Sequence, residues 1–586
     1  MSKKLKEKRM SRRSFLFGAG AAAGATAISM AGLTGTVSAS AAPPDINWDY
    51  EADVVVLGFG FAGQAAALEA SNLGASVIVL DKAPREHVGG SSAANKNHDN
   101  SFIGPDPETE IKYVTSECWG TVDDPDTIRM MCEENHKLPE WFESLGGTIE
   151  WSLRSEPTYP LIPGGKEMGN PGPNGYNNFV ALPPEEYLDK FPIPESARSP
   201  FQEWMCDLME ERDIPLMCNT AGTELVQDPI TKEILGVKAL TDLTFTKDFN
   251  QLPGGKEIFV KAKKGVVLAC GGYEKNHEML LNFAPHAHSA FVAAYGGPYS
   301  TGDGITMAIQ VGAKLWHMNK KECHAFACAP ASKELGTGMV VNCYATQVAG
   351  VPGIMVNRDG KRFYNEYHYA GHSDQTRAWE EFTHAFEATE GYYYSDYRNV
   401  PWYYIFDDTT MKGRKLGTSG DHFVRILGIY DWSEDNQAEL EKGWIIKGDT
   451  LEELANNVVA KNYFGEVVGI DAAGLVETVA KYNEFCAAGE DLDFGRRPST
   501  MLPILTPPFY AMEICDCQTN TDGGPKHNGH CQVLDAFDQP ISRLYVAGEL
   551  GSTYGFLYNG AENIPECSSS GRRAARHAVG LTAWDA

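Results

Sequence analysis

At 586 residues, with 43% hydrophobic and 22% charged residues, the chain has a globular composition and is too long for one simple core, so two or three domains are expected. A formal net charge of −28 argues against nucleic acid or an anionic lipid surface as a partner and disfavours long-range steering of an anionic substrate. The thirteen cysteines form no paired C-x-x-C, no C-x-x-C-H and no ferredoxin spacing. No metal or c-type haem site is therefore expected, and the cysteines read as buried thiols.

The chain opens on a basic stretch, Lys3 to Arg13, that runs into SRRSFL (Ser11–Leu16), an Ala/Gly/Thr run to Thr36 and small residues at Ala39–Ala41. This order reads as a twin-arginine signal peptide over residues 1–42, and hence export across the cytoplasmic membrane. The first 41 residues hold seven Lys/Arg and one Glu; removing that net +6 leaves a mature chain near −34. No later run reaches about 18 apolar residues, so no stable membrane insertion is expected after cleavage.

Next comes DVVVLGFGFAGQAAALEASNLGASVIVLDKAP, Asp53 to Pro84. Val54–Leu57 is a continuous apolar run, as in a strand buried on both faces. Gly58-x-Gly60-x-x-Gly63 follows, then a helical stretch to about Leu73 and a second strand, Val77–Leu80, ending at Asp81. Gly58 suits a tight turn, Gly60 a close backbone approach to a pyrophosphate, and Gly63 the packing of helix on strand; Asp81 is placed to accept from ribose hydroxyls. The fingerprint fits NAD or FAD.

Six further stretches are ordered along the chain: VGGSSAAN (Val88–Asn95), AKKGVVLACGGYEKN (Ala262–Asn276), STGDGITMAIQVGAKLWHM (Ser300–Met318), GIMVNRDGKRFYNE (Gly353–Glu366), TPPFYAME (Thr506–Glu513) and LYVAGEL (Leu544–Leu550). Their order and spacing resemble the fumarate reductase/succinate dehydrogenase flavoprotein superfamily, which includes 3-ketosteroid dehydrogenases, over nearly all of residues 50–580. The resemblance implies an α/β protein: a Rossmann-like, discontinuous FAD-binding domain at 48–334 and 505–582, with an α+β capping domain at 335–504. It implies FAD contacts at Gly58, Gly60, Ala62, Gly63, Asp81, Lys82, Gly90, Ser91, Ser92, Ala269, Gly271, Asp303, Gly548, Glu549, Asn563 and Ile564. Pro565 is expected to start a helix whose positive end faces the flavin pyrimidine. The Pro/Gly-rich stretch Pro157–Pro200 is expected to lie over the site as a loop. No second nucleotide fold is evident, so electrons are expected to pass through a separate redox partner, a membrane quinol dehydrogenase or a small cytochrome.

Fumarate reductases of the superfamily carry arginines that bind the substrate carboxylates bidentately. Counted from the shared motifs, those positions hold Tyr369 or Ala370 after Asn365–Glu366, Ala349 ahead of Asn357, and Tyr558 in YGFLYNGAEN; Asn520 or Thr521 stands where a histidine would be. Ketosteroid dehydrogenases have tyrosines at two of these places. The resemblance therefore implies Tyr558, Tyr369 and Glu366 as catalytic residues and a neutral substrate with a C=C conjugated to a carbonyl. A buried phenol with a pKa near 10 suits an oxygen on which enolate charge develops. Tyr159 and Tyr554 read as packing, His368 and His372 as loop residues, and Glu562 has no assigned role. Two alternatives stay open: a reductase of larger unsaturated carboxylates such as aryl acrylates, and a non-catalytic flavin electron carrier.

Overall fold

A computed structural model describes residues 46–586 apart from 95–97, 156, 158, 192–198, 285–291, 295, 342–352, 367–385, 389–394, 398, 418–428, 462–464 and 558–561. In chain order, the elements that build the site are β1 (Tyr50–Leu57), α1 (Phe61–Asn72), β2 (Val77–Leu80), α2 (Pro107–Cys118), β3 (Lys256–Leu268), α3 (Asp303–Gln310), β4 (Phe509–Thr521), β5 (Pro540–Val546) and α4 (Asn563–Val579).

β1 is the hinge of the larger sheet. It pairs in parallel with β2 on one side and β3 on the other, and β5 lies parallel to β3. Val54–Leu57 are buried because both faces of the sheet are covered. α1 is buried from Phe61 to Ala70, far beyond a single stripe. The reason lies in its neighbour: a Cβ on Gly571 of α4 would stand 2.2 Å from the Ala62 carbonyl oxygen, so the two helices meet backbone to backbone. Residues near the two ends of the chain thus share one layer, as a discontinuous nucleotide domain requires.

The second sheet is organised on β4, which pairs in parallel with Val292–Ala294 and antiparallel with Lys321–Cys328, Trp402–Asp407 and Ile446–Gly448. Trp402–Asp407 is buried throughout and carries Ile354–Asn357 on its other edge. This sheet crosses the limits expected for the cap, because it takes strands from before residue 335 and after residue 504. The Pro157–Pro200 stretch is also more than a loop. Its Asn178–Leu182 is the central strand of a three-stranded antiparallel sheet with His98–Phe102 and Thr148–Ser152, and its Asn178, Phe179 and Ala181 are buried. The turn-rich flanks hide this short apolar run from a composition-based reading. Among the described residues no cysteine is in a disulfide, no group of His, Cys, Asp and Glu could hold a metal, and no helix is long and apolar enough to cross a membrane.

Candidate functional site: a dinucleotide crevice and its buried acids

The crevice opens at the carboxyl ends of β1, β2 and β3, the edge where parallel sheets bind ligands. Gly58 makes the turn out of β1 at φ +100°, and its N–H donates to the Leu80 carbonyl at 2.8 Å. A Cβ on Gly58 would lie 2.2 Å from Ala269 O, and one on Gly63 would lie 1.9 Å from Gly58 O. Gly60 differs: its Cβ would meet nothing nearer than 3.5 Å. Two glycines are therefore required by the protein's own packing, while the third bares backbone to the crevice at the N-terminus of α1.

Asp81 ends β2 with both oxygens fixed: Oδ2 accepts the Phe59 N–H at 2.7 Å and Oδ1 the Ala83 N–H at 2.8 Å. Burial pushes its carboxyl up to about 6, against the pull of those two N–H groups and of Lys82. The Lys82 ammonium pairs with Asp303 Oδ2 at 2.7 Å, and the Thr301 hydroxyl donates to Asp303 Oδ1 at 2.8 Å. Ser91 Oγ accepts the Gly297 N–H at 2.9 Å and Ser92 Oγ accepts that of Phe61 at 3.1 Å, tying the wall at residues 90–92 to α1. The fit to FAD is thus carried by a glycine turn that admits no side chain, a bared helix start and a carboxylate held for ribose.

Of the expected cofactor contacts, Gly58, Gly60, Ala62, Asp81, Lys82, Gly90, Ser91, Ser92, Ala269, Gly271, Asp303 and Glu549 line this crevice. Gly63 and Gly548 act behind it; a Cβ on Gly548, at φ +76°, would stand 2.8 Å from the Ala62 Cβ. Asn563 and Ile564 form the first turn of α4, which starts two residues before Pro565 rather than at it. Thr220–Gly222 and Tyr299–Thr301 also line the crevice and were not singled out from the sequence. Ser300 and Thr301 sit in the quoted STGDG stretch and could have been found there. Thr220–Gly222 carries no motif.

At the start of α4, Asn563 Nδ2 donates to Asp522 Oδ1 at 3.1 Å, as does Asn520 Nδ2 at 2.7 Å. Glu566 accepts the Thr553 N–H and the Ser552 hydroxyl, each at 2.6 Å, and so pins the C-terminal loop to the helix. Burial pushes Glu566 up to about 7 and Asp522 up to about 6. The loop then runs over a buried cluster that includes Phe102, Tyr113, Tyr159, Met168 and Tyr554, with Leu557 packed against it. Leu557 N–H donates to the Glu117 carbonyl of α2 at 3.1 Å, and Phe556 packs on Trp119 with ring centres 4.5 Å apart. Tyr558 and Tyr369 lie outside the described residues.

Glu366 is described, and its surroundings differ from those of a proton donor. It accepts from Arg362 Nε at 2.8 Å and Nη2 at 2.6 Å, from Arg496 Nη1 at 3.4 Å and from the Met355 N–H at 3.2 Å. Arg362 also holds Asp491 at 3.0 and 3.2 Å. These two cations and two anions are all buried. Tyr159 and Tyr554 are packing residues of the apolar cluster.

Residues 53–563 match the FAD binding domain family. A digoxin reductase of Eggerthella lenta is 26% identical over 99% of this chain and 98% of its own length. A urocanate reductase of the same organism is 28% identical over 91% of this chain and 75% of its own length. The crystal structure of a 3-ketosteroid Δ1-dehydrogenase from Sterolibacterium denitrificans, in complex with 1,4-androstadiene-3,17-dione, shares the fold with a TM-score of 0.67 at 22% identity, covering 90% of this chain and 99% of that one. The chain therefore belongs to the FAD binding domain family, as an FAD-dependent oxidoreductase of the fumarate reductase/ketosteroid dehydrogenase superfamily.

Proposed function

We propose that the protein reduces, or in reverse forms, a C=C bond conjugated to a carbonyl in a neutral, largely apolar molecule. FAD, when bound, supplies or accepts the electron pair. The chain's own part is to bind the carbonyl, exclude water and manage one proton. Tyr558 donates a hydrogen bond to the carbonyl oxygen as negative charge gathers there, a contribution of about 2–4 kcal/mol in a dry site. Tyr369 is the second phenol and handles the proton on carbon. Glu366 is assigned to bracing the cap, because its carboxylate is already committed to two guanidinium groups.

The observation that supports this reading is the make-up of the C-terminal loop. It carries Tyr558 where a carboxylate-binding arginine would be expected, and the segment leading to it rests on Tyr113, Tyr159 and Tyr554. The digoxin reductase relative, alike over almost its whole length, agrees with a large substrate. The test is a screen with reduced viologen as donor against ketosteroids, other enones, aryl acrylates and fumarate. Turnover is expected with the neutral enones, and Tyr558→Phe should lower kcat by roughly 100- to 1000-fold. Brisk turnover of fumarate alone, or an unaltered Tyr558→Phe enzyme, would end the proposal. The urocanate reductase relative favours aryl acrylates as a second reading, which the same screen separates.

We propose further that SRRSFL directs the chain through the twin-arginine route and that the electron donor is a separate exported or membrane protein. Replacing Arg12 and Arg13 by Lys should leave the protein in the cytoplasmic fraction.

A further inference from the structure

Gly272 lies just beyond the end of β3, next to Gly271 of the crevice wall. Its ideal Cβ would stand 2.2 Å from Thr521 Oγ1, 2.5 Å from Glu549 Oε1 and 2.7 Å from Glu274 Oε2. Two carboxyl groups therefore crowd one point. A Cβ on Gly296 would stand 2.6 Å from Glu274 Oε1, so Glu274 is boxed between two glycines. Its side chain is buried, with the Ser300 and Thr521 hydroxyls and its own N–H beside it. Glu549 Oε1 accepts the Thr521 N–H at 3.3 Å. Glu549 and Ser300 line the crevice, with Glu274 directly behind them.

Among the charged and titratable groups around the pair, Lys275 pulls the Glu274 carboxyl down but does not outweigh burial. Beyond the end of β4, Asp522 adds a third buried acid, and α4 adds Glu566 and the Cys567 thiol. Lys275, next to Glu274, donates to the Gly336 carbonyl at 2.7 Å, and Lys320 is paired with Glu322. Burial raises both carboxyls, Glu274 to about 7 and Glu549 well above the usual carboxylate range, and for Glu549 the nearby Glu274 and Asp522 raise it further. Two carboxylates this close and this dry cannot both be ionised.

We infer that Glu274 and Glu549 share one proton when the flavin is oxidised and take up a second when it is reduced, so that the pair couples reduction of the cofactor to proton uptake by the protein. The balance is simple. An external reductant gives two electrons, one proton from water goes to the flavin, and a further proton from water converts the remaining carboxylate to a carboxylic acid. Only O–H bonds form on the protein. Glu274 is a positioning residue in this scheme: it lies behind the lining of the crevice and acts through Glu549.

The experiment is a dithionite titration of the FAD-loaded protein with mediator dyes, followed by flavin absorbance between about pH 6 and 8.5. Each proton taken up per two electrons steepens the midpoint potential by about 30 mV per pH unit, the tenfold change for a two-electron couple. The wild type is expected to run near twice that slope around neutrality, and Glu274→Gln to fall back to a single proton's slope while keeping its flavin. A wild-type slope of one proton throughout overturns the inference, whatever the variant does. So does a Glu274→Gln protein as steep as the wild type. Should Glu274→Gln lose FAD, the wild-type slope still decides.

Discussion

Glu366→Gln separates a brace from a proton donor. The cluster of Arg362, Arg496, Glu366 and Asp491 is neutral as a whole, and each member is buried. Burial works against the charges, but Arg362 holds Asp491 below the usual carboxylate range, and Glu366 and Asp491 together hold the Arg362 guanidinium above its own. The faces of Tyr482 and Phe494 cover Arg362 at 5.1 and 5.0 Å, so little water can replace a lost partner. Glutamine keeps the volume but leaves one net positive charge, and its amide N–H₂ must face a guanidinium. Removing one partner of a buried pair costs about 3–5 kcal/mol, and the lower end applies here because Arg362 keeps Asp491. The assay is urea unfolding of the FAD-loaded protein, read by tryptophan emission and flavin release, beside turnover with the best enone. A midpoint loss matching about 3 kcal/mol, with turnover per folded molecule falling less than tenfold, is expected. Wild-type stability combined with a loss of turnover of about 100-fold or more would refute the bracing argument and restore Glu366 as a general acid.

Gly60→Ala should fold with stability within about 0.5 kcal/mol of wild type, since its Cβ meets nothing nearer than 3.5 Å, yet bind FAD more weakly in a fluorescence titration. Gly58→Ala should lose both folding and flavin, because the methyl would stand 2.2 Å from Ala269 O at φ +100°; equal behaviour of the two variants would contradict the cradle described above. Burial raises Glu117 to about 8 and Glu513 and Glu566 to about 7, so these groups hold protons in the folded protein that the unfolded chain releases above about pH 4.5. Their stabilisation is complete below that pH and is lost as pH rises through 7–8, at about 3 kcal/mol for Glu513 and Glu566 and about 5 kcal/mol for Glu117 at most. The thermal midpoint of the holoprotein should therefore fall from pH 6 to 8.5, and a flat or rising profile would show that the acids are ionised in the fold.

What could be read from the sequence was local. β2 runs over Val77–Leu80 as its apolar run suggests, and the glycine turn, α1 and Asp81 follow in register because the bonds Gly58 to Leu80 and Phe59 to Asp81 and the approach of Gly63 to Gly58 are all local. The second sheet was not legible in the same way. Its central strand, β4, gathers partners from residues 292 to 448, and nothing in its own pattern marks which strands it takes. Glu366 shows the same limit at a single residue. Its place after Asn365 suggested chemistry; Arg362 holds it from four residues away, but Arg496, which completes the buried cluster, is 130 residues away. The crevice wall at Thr220–Gly222 comes from the start of a strand with no phosphate motif, so only the fold brings it to the nucleotide.

A chain of net charge −28 that gathers Glu274, Asp522, Glu549, Glu562 and Glu566 around the start of one helix has already used the positive end of that helix on itself. Glu566 spends two donors of the C-terminal loop, and Asp522 takes the Asn563 amide. A dicarboxylate arriving there would meet acids rather than cations, and one ionised neighbour at about 4 Å opposes it by about 4 kcal/mol at the effective dielectric of a partly exposed site. A neutral carbonyl meets no such opposition. As pH rises from about 6 to 8 and Glu274, Asp522 and Glu566 ionise, inhibition by a small dicarboxylate should weaken by at least tenfold, while that by a neutral ketone of steroid size should change little below the pKa of a phenol. If the two inhibitors weaken in parallel, the acids at the start of α4 do not face the substrate, and the preference for a neutral molecule must rest on Tyr558 and Tyr369 alone.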